Sequence, residues 1–433
     1  MPEALGSVEL TPAAVGTVDT GNRSRAHRRT PPPLCLVQLG QSLSTRSLPE
    51  LERVVERISA SRSERIFRDI PGIAELVVLR SCHRLEVYAV LEDEGDLPKL
   101  RRSLGGPASD WTLRRGPEAV EHLFRVAAGL ESTAVGEAEV RAQVVGASHR
   151  VLSRHPRPLL RPLMEAAARA VPPAPRSHLD APPSIAGLVA SRIRALGSGN
   201  GARKPQVLVL GSGIVGRRVA ELLNGSARVT LVYHHRKPSA DLLRRVHALA
   251  VPWTRLADEL RSAQVVVAAA KGGGYAISPS DLSEGGAPHL SLAFDLGLPR
   301  NLDPKLASRP GLDLWDLERL RRETPSMAVS KGVEVHLRSA AERAYQAFAS
   351  KGFEPLLAEL WRKAEEVRRE ELEGALRHAP HLSPEERLVL ERLSERVMRR
   401  LLSVPTRRLR RLSETGSDPE LVRLALLLFD DRE

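Results

Sequence analysis

Five residues that read as a buried strand, Gln206-Val207-Leu208-Val209-Leu210, run straight into Gly211-Ser212-Gly213-Ile214-Val215-Gly216, and a helical pattern continues from Arg217 to Asn224. A glycine triplet at this spacing is weak alone, but between a strand and a helix it constrains the fold strongly. The glycines let backbone approach a pyrophosphate at a helix N-terminus, the arrangement of a doubly wound α/β sheet. Gly211, Ser212, Gly213, Ile214, Val215 and Gly216 are therefore the expected dinucleotide contacts. The next strand, Arg228 to Val232, ends in Tyr233-His234-His235-Arg236-Lys237. An acidic residue there would bind the ribose hydroxyls of NAD; Arg236 and Lys237 instead suit the 2′-phosphate of NADP, so NADPH is the expected cofactor. Strand-like runs at Gln264 to Ala269 and Leu290 to Leu296 extend the pattern.

That unit fills only part of a chain of 433 residues. At about 150 residues per domain, roughly three domains are expected. Residues 1–33 lack apolar periodicity and end in a basic, proline-rich run, the composition of a disordered tail. Residues 34–175 read as a mixed α/β unit, closed by the linker Pro172-Pro173-Ala174-Pro175, and residues 176–326 hold the nucleotide-binding pattern. From 327 to 433 only helical stripes remain. One runs through Val335, Leu337, Ala340, Ala341, Ala344, Ala347 and Phe348; a second through Leu356, Leu357, Leu360, Trp361, Ala364 and Val367. A third helix opens at Ser383-Pro384-Glu385-Glu386, a capping box with proline at the first helical position. Three such helices suit a dimer interface, because a few long helices rarely bury enough by themselves.

In the first unit, Cys82 lies between two strand-like runs, from Ala74 to Leu79 and from Leu85 to Leu91, which places it at a strand end or tight connection. Two readings stand there. Cysteine is among the residues most often buried for packing, and an exposed thiolate beside a cation is a nucleophile for esters and carbonyls. Arg84 has the planar fork that binds a carboxylate in bidentate fashion. Further on, Val120, Leu123, Phe124, Ala127 and Ala128 form one helical face with His122 on or beside it. Glu137 and Glu139 follow a glycine-broken stretch, as dipole-favouring carboxylates at a helix start or as pocket groups.

Lys and Arg outnumber Asp and Glu by 65 to 53, a formal net charge of +12, which suits an anionic partner such as nucleic acid. Two cysteines exclude a disulfide scaffold, no secretory signal is visible, and no apolar run approaches the ~18 residues of a membrane helix. A cytoplasmic protein without a membrane segment or a metal site is expected.

The order of these parts resembles the glutamyl-tRNA reductase family across roughly residues 34 to 412. The family's run Ser-Thr-Cys-Asn-Arg-Thr-Glu is similar to Ser81-Cys82-His83-Arg84-Leu85-Glu86, preceded by Arg80 and followed by Val87-Tyr88. The stretches His122 to Ser132, Gly136-Glu137, Gln143-Val144, Phe294 to Pro304 and Pro405 to Leu409 are similar too. The resemblance implies an α/β multidomain protein with an N-terminal catalytic domain, a Rossmann-like NADPH domain and a C-terminal helical dimerisation domain. It implies reduction of glutamyl-tRNA through a Cys82 thioester to glutamate-1-semialdehyde, the entry to tetrapyrrole synthesis, with an aminomutase as a candidate partner. Under it His122 assists near the thiol, Arg84 pairs with the substrate carboxylate, and Ser81, His83, Ser132, Glu137, Ala138, Glu139 and Gln143 line the pocket. Leu43, His83 and Glu139 stand where the family usually has histidine, asparagine and glutamine. A catalytically degenerate binding protein and a small-molecule NADP dehydrogenase are the competing readings.

Overall fold

The computed structural model describes residues 34–107, 110–132, 138–156, 158–171, 184–197, 203–270, 272, 274–282, 287–324 and 330–414. The expected tail at 1–33, the linker at 172–175 and Glu137 lie outside these residues.

The first unit is built on β1 (Cys35–Ser42), α1 (Leu48–Arg57), α2 (Ala60–Asp69), β2 (Ile73–Arg80), β3 (Arg84–Leu91), α3 (Leu97–Leu104) and β4 (Thr112–Arg115). It continues through α4 (Gly116–Ala127), α5 (Ala138–Ser148), β5 (Leu152–Ser153) and α6 (Leu160–Ala170). The strands form an antiparallel sheet in the order β4-β1-β3-β2-β5, with β3 central and buried along its whole length. Because successive side chains alternate between faces, Leu85, Val87, Ala89 and Leu91 join Leu48, Leu51 and Val55 of α1 in one core. Tyr88 and Val90 meet Val120, Leu123 and Phe124 of α4 in another. Arg84 and Glu86 share the parity of Tyr88, which puts two charges in the layer facing α4.

The second unit comprises α7 (Ile185–Leu196), β6 (Gln206–Leu210), α8 (Ile214–Leu222), β7 (Arg228–Tyr233), α9 (Ala240–Val246), β8 (Leu249–Pro252) and α10 (Leu256–Leu260). It ends with β9 (Val265–Ala268), β10 (Leu292–Asp295), β11 (Asp313–Trp315) and α11 (Leu317–Glu323). Its sheet is parallel, in the order β8-β7-β6-β9-β10-β11. The chain reverses its direction of travel between β6 and β9, the place where doubly wound sheets open a crevice at their strand ends. The helix expected from Arg217 starts three residues earlier, at Ile214, so that Gly216 lies in its first turn.

Where three C-terminal helices are expected, the described residues hold two, α12 (Lys331–His378) and α13 (Pro384–Glu414). Both apolar stripes belong to α12, whose 48 residues are continuous. At 3.6 residues per turn, the stripe through Ala341 and Phe348 and the stripe through Leu357 and Leu360 lie roughly half a turn apart. The first packs on α4 and α6, and the second half of the helix packs on α13. A change of partner, not a break in the helix, produced the change of stripe. The start of α13 is capped as its residues require: Ser383 Oγ accepts from the Glu386 N–H at 3.3 Å, and Glu386 Oε2 accepts from the Ser383 N–H at 2.8 Å.

Candidate active site

The hairpin between β2 and β3 is closed by the Ser81 N–H donating to the Arg84 carbonyl at 3.0 Å, leaving Cys82 and His83 at its tip. Cys82 Sγ lies 3.1 Å from His83 Nδ1, and the His83 N–H donates to Ser81 Oγ at 3.2 Å. The His83 carbonyl accepts from the N–H of Leu43, which is itself buried in the core. Burial, helped by the positive charges of Arg84 and Arg321, pushes the His83 imidazole down to about 3, so it is neutral beside the thiol.

Arg84 is almost wholly buried. Its Nη1 lies 3.4 Å from Glu86 Oε1, and its Nη2 donates to the Glu131 carbonyl at the end of the α4 turn. Glu86 also takes His122 Nε2 at 2.8 Å and the Tyr88 hydroxyl at 2.7 Å. Burial works against its ionisation, but the charge and hydrogen bond of His122, the charge of Arg84 and the Tyr88 hydroxyl prevail and hold its carboxyl at about 2. His122, expected to assist near the thiol, directs Nε2 to Glu86, and the imidazole 3.1 Å from Sγ is that of His83. Arg84 likewise has Glu86 as its anionic partner here, in place of a fully open fork.

Nine buried side-chain polar atoms have no hydrogen-bond partner among the described residues, and four of them cluster around this hairpin: Arg84 Nε, His83 Nε2, Ser132 Oγ and Gln143 Oε1. Each sits on a residue expected to line the pocket, and they are carried by adjoining elements, the hairpin tip, the turn after α4, and α5, which packs on β2. Leaving such atoms unpaired costs about 1–3 kcal/mol each, so a polar group that completes them would bind here. Ser81 and Glu139 are buried too. Glu139 lies in the first turn of α5, which Ala138 opens, and its Oε1 is 3.7 Å from Arg218 Nε on α8. The carboxylate at this position is therefore directed toward a cation of the second unit.

At the glycine turn, Gly211 has φ +98°, and a Cβ there would lie 2.7 Å from the Ala269 carbonyl. A Cβ on Gly216 would lie 2.2 Å from the Gly211 carbonyl, so both positions need a bare backbone. Gly213, the N-cap of α8, faces open space within 4 Å and has no side-chain cap. Ser212 follows Gly211, Ile214 and Val215 form the first helical positions, and the exposed Arg236 and Lys237 follow β7. This uncapped, uncrowded helix start at the β6 end fits a dinucleotide pyrophosphate, and the cation pair fits a further phosphate.

Reading the sequence missed the residues that join the two units. Arg300 binds Glu52 of α1 through its N–H and Nε, at 2.6 and 2.9 Å from Oε1, and through Nη2, at 2.6 Å from Oε2. Arg80 Nη2 donates to the Leu298 carbonyl at 2.9 Å, the Leu48 N–H donates to Glu318 Oε1 at 2.7 Å, and Arg321 binds the Leu43 carbonyl. The loop bearing Leu298 and Arg300 is shaped by buried Asp295, which accepts from the N–H groups of Gly297, Asn301 and Leu302 at 3.0, 2.9 and 2.7 Å. Burial pushes the Asp295 carboxyl up to about 7. No local sequence signal marks Glu52, which sits on an ordinary amphipathic helix.

Three family models match the chain: Glutamyl-tRNAGlu reductase, N-terminal domain, at residues 39–171; Shikimate / quinate 5-dehydrogenase at 195–323; and Glutamyl-tRNAGlu reductase, dimerisation domain, at 333–431. The glutamyl-tRNA reductase of Chloroflexus aurantiacus is 30% identical over 403 residues, covering 83% of this chain and 89% of its own. That of Halalkalibacterium halodurans is 25% identical over 393 residues, covering 84% and 83%. Among solved structures, glutamyl-tRNA reductase from Methanopyrus kandleri aligns over 90% of this chain and 98% of its own, at 25% identity and a TM-score of 0.46.

Proposed function

The chain belongs to the glutamyl-tRNA reductase family, and from that premise we propose that it reduces glutamyl-tRNA to glutamate-1-semialdehyde with NADPH, through a thioester on Cys82. The observation that carries this reading is the hairpin tip: a thiol beside a neutral imidazole, with four buried polar atoms around it that have no partner among the described residues. Glutamyl-tRNA is an ester, and its glutamyl group offers an ammonium and a carboxylate for those atoms. The Cys82 thiol reacts as its thiolate: the C–S bond to the ester carbonyl carbon forms, the C–O bond to the tRNA 3′-oxygen breaks, and that oxygen takes up the proton the thiol gave up. His83 holds the thiol at the tip through its Nδ1, 3.1 Å from Sγ. Arg84, fixed by Glu86 on one edge, keeps Nε for the substrate carboxylate. NADPH, when bound, supplies the hydride that reduces the thioester to an aldehyde and returns the thiolate.

Support for this step is that Gly211 to Gly216 lead into α8, and α8 reaches α5 of the first unit through Arg218 and Glu139. Arg236 and Lys237 select the 2′-phosphate. The chain is a homodimer through its C-terminal domain, whose α13 exposes an apolar row of Val389, Leu393, Val397, Leu401 and Val404 at helical spacing. The positive net charge suits tRNA, and an aminomutase is the expected consumer of the aldehyde. No helix among the described residues is long and apolar enough to cross a membrane, and the cytoplasm is the proposed location.

A single-turnover assay with glutamyl-tRNA labelled in the amino acid tests the reading. Without NADPH, label should accumulate on the protein and be lost in Cys82→Ala; with NADPH, semialdehyde should appear. Binding of tRNA without transfer of label would overturn it.

A further inference from the structure

We infer that Glu52 and Arg300 are positioning residues that hold the nucleotide-binding unit on the thiol hairpin for the reductive half-reaction, an inference that rests on the function proposed above. Three bonds join the two residues, and their side chains are 12% and 15% exposed, a forked charge pair largely withdrawn from water. Its location gives it a purpose. Arg300 lies two residues beyond Leu298, whose carbonyl is taken by Arg80, and Arg80 immediately precedes Ser81 and Cys82. Leu298 and Cys82 also pack on the same apolar core. The loop after β10, at the crevice end of the parallel sheet, is thereby tied to the turn that presents the thiol.

Glu52 has no place in the chemistry of that turn. It lies on α1, on the opposite face of the antiparallel sheet from Glu86 and His122, and the contacts of Arg84 and His122 described above do not include it. Attack on the ester needs only groups of the first unit, whereas reduction needs the second unit close to the thioester. Loss of the pair should therefore separate the two half-reactions.

The experiment compares wild type, Glu52→Gln, Glu52→Ala and the exchanged pair Glu52→Arg with Arg300→Glu. Without NADPH, all four should acquire label from glutamyl-tRNA at rates within about twofold of each other. On addition of NADPH, single-turnover release of semialdehyde should fall roughly tenfold or more in Glu52→Ala, less in Glu52→Gln, and recover in part in the exchanged pair, which restores the side-chain pairing but not the bond from the main-chain N–H of residue 300. In the cofactor-free protein, hydrogen exchange at the Leu48 amide, which is bonded to Glu318 across the same junction, should quicken in Glu52→Ala. Unchanged semialdehyde release in Glu52→Ala overturns the inference while leaving the Cys82 reading intact. Parallel loss of both half-reactions, without recovery in the exchanged pair, also overturns it by assigning the pair to folding. Absence of label on wild type overturns the Cys82 reading, and this inference with it.

Discussion

The two sites of this protein are built from different materials. The glycine turn after β6 is a backbone site: six consecutive residues shape it, and its requirements are a positive φ at Gly211 and bare approaches at Gly211 and Gly216. The thiol site is a side-chain site, assembled from Cys82 and His83 at a hairpin tip, Arg84 and Glu86 on β3, His122 on α4 and Gln143 on α5. A backbone site needs little beyond its own segment. A side-chain site depends on the sheet register, on the parity of β3 and on which helix covers which face.

That contrast can be broken most forcefully at Glu86. Glu86→Gln removes the anionic partner of buried Arg84 and leaves His122 and Tyr88 facing a neutral amide, and should cost about 3 kcal/mol of stability, read by denaturant unfolding at neutral pH. It should also remove an acid-labile contribution. The folded carboxyl, at about 2, lies below its usual 4.5, so its stabilisation is complete above pH 4.5 and is lost as pH falls toward 2. An unfolding midpoint that does not move would show that the buried network is not coupled to the fold.

Gly216→Ala addresses the other site. A Cβ 2.2 Å from the Gly211 carbonyl forces the turn to shift, and NADPH affinity should fall on the order of 100-fold, about 2.7 kcal/mol. Label transfer to Cys82 should survive, because the first unit carries its own site. Titration of NADPH fluorescence on the variant and on wild type measures the first effect; loss of label would show that the two sites are less separable than their construction suggests.

The smallest effect at neutral pH is expected at His83. Its folded value of about 3 lies below the ordinary 6.5, so between those limits the unfolded chain binds a proton that the folded chain refuses. Stability from this residue is full above pH 6.5 and declines as pH falls toward 3, by up to about 1.4 kcal/mol per pH unit. His83→Asn keeps a hydrogen-bonding side chain beside Sγ and should flatten stability between pH 6.5 and 4.5, leaving the Glu86 decline below. Equal slopes in the two proteins would place the imidazole in water and not in the core.

The same division governs what could be read from the chain. Strand, glycine turn and helix were legible from Gln206 to Asn224 because local sequence specifies backbone geometry there; only the helix start shifted, to Ile214. The two strands around Cys82 were legible for a similar reason, since apolar runs flank a short polar turn. The direction of His122 was not, because a histidine on an apolar helical face says nothing of the strand opposite. Nor was the continuity of α12, where the apolar face moves half-way round when the partner changes from α4 and α6 to α13.

By itself, then, the sequence determined most of the elements, the doubly wound class of the second sheet and which residues are candidates for chemistry, because propensity, periodicity and glycine conformation act over a few neighbouring positions. Only the tertiary structure decided that Glu86 fixes Arg84 and His122, that His83 is the ring beside the thiol, and that Glu52 meets Arg300 across 248 positions of chain. Charge pairing acts over a few ångströms of space, and nothing in the spacing of residues along a chain records which of them folding brings that close.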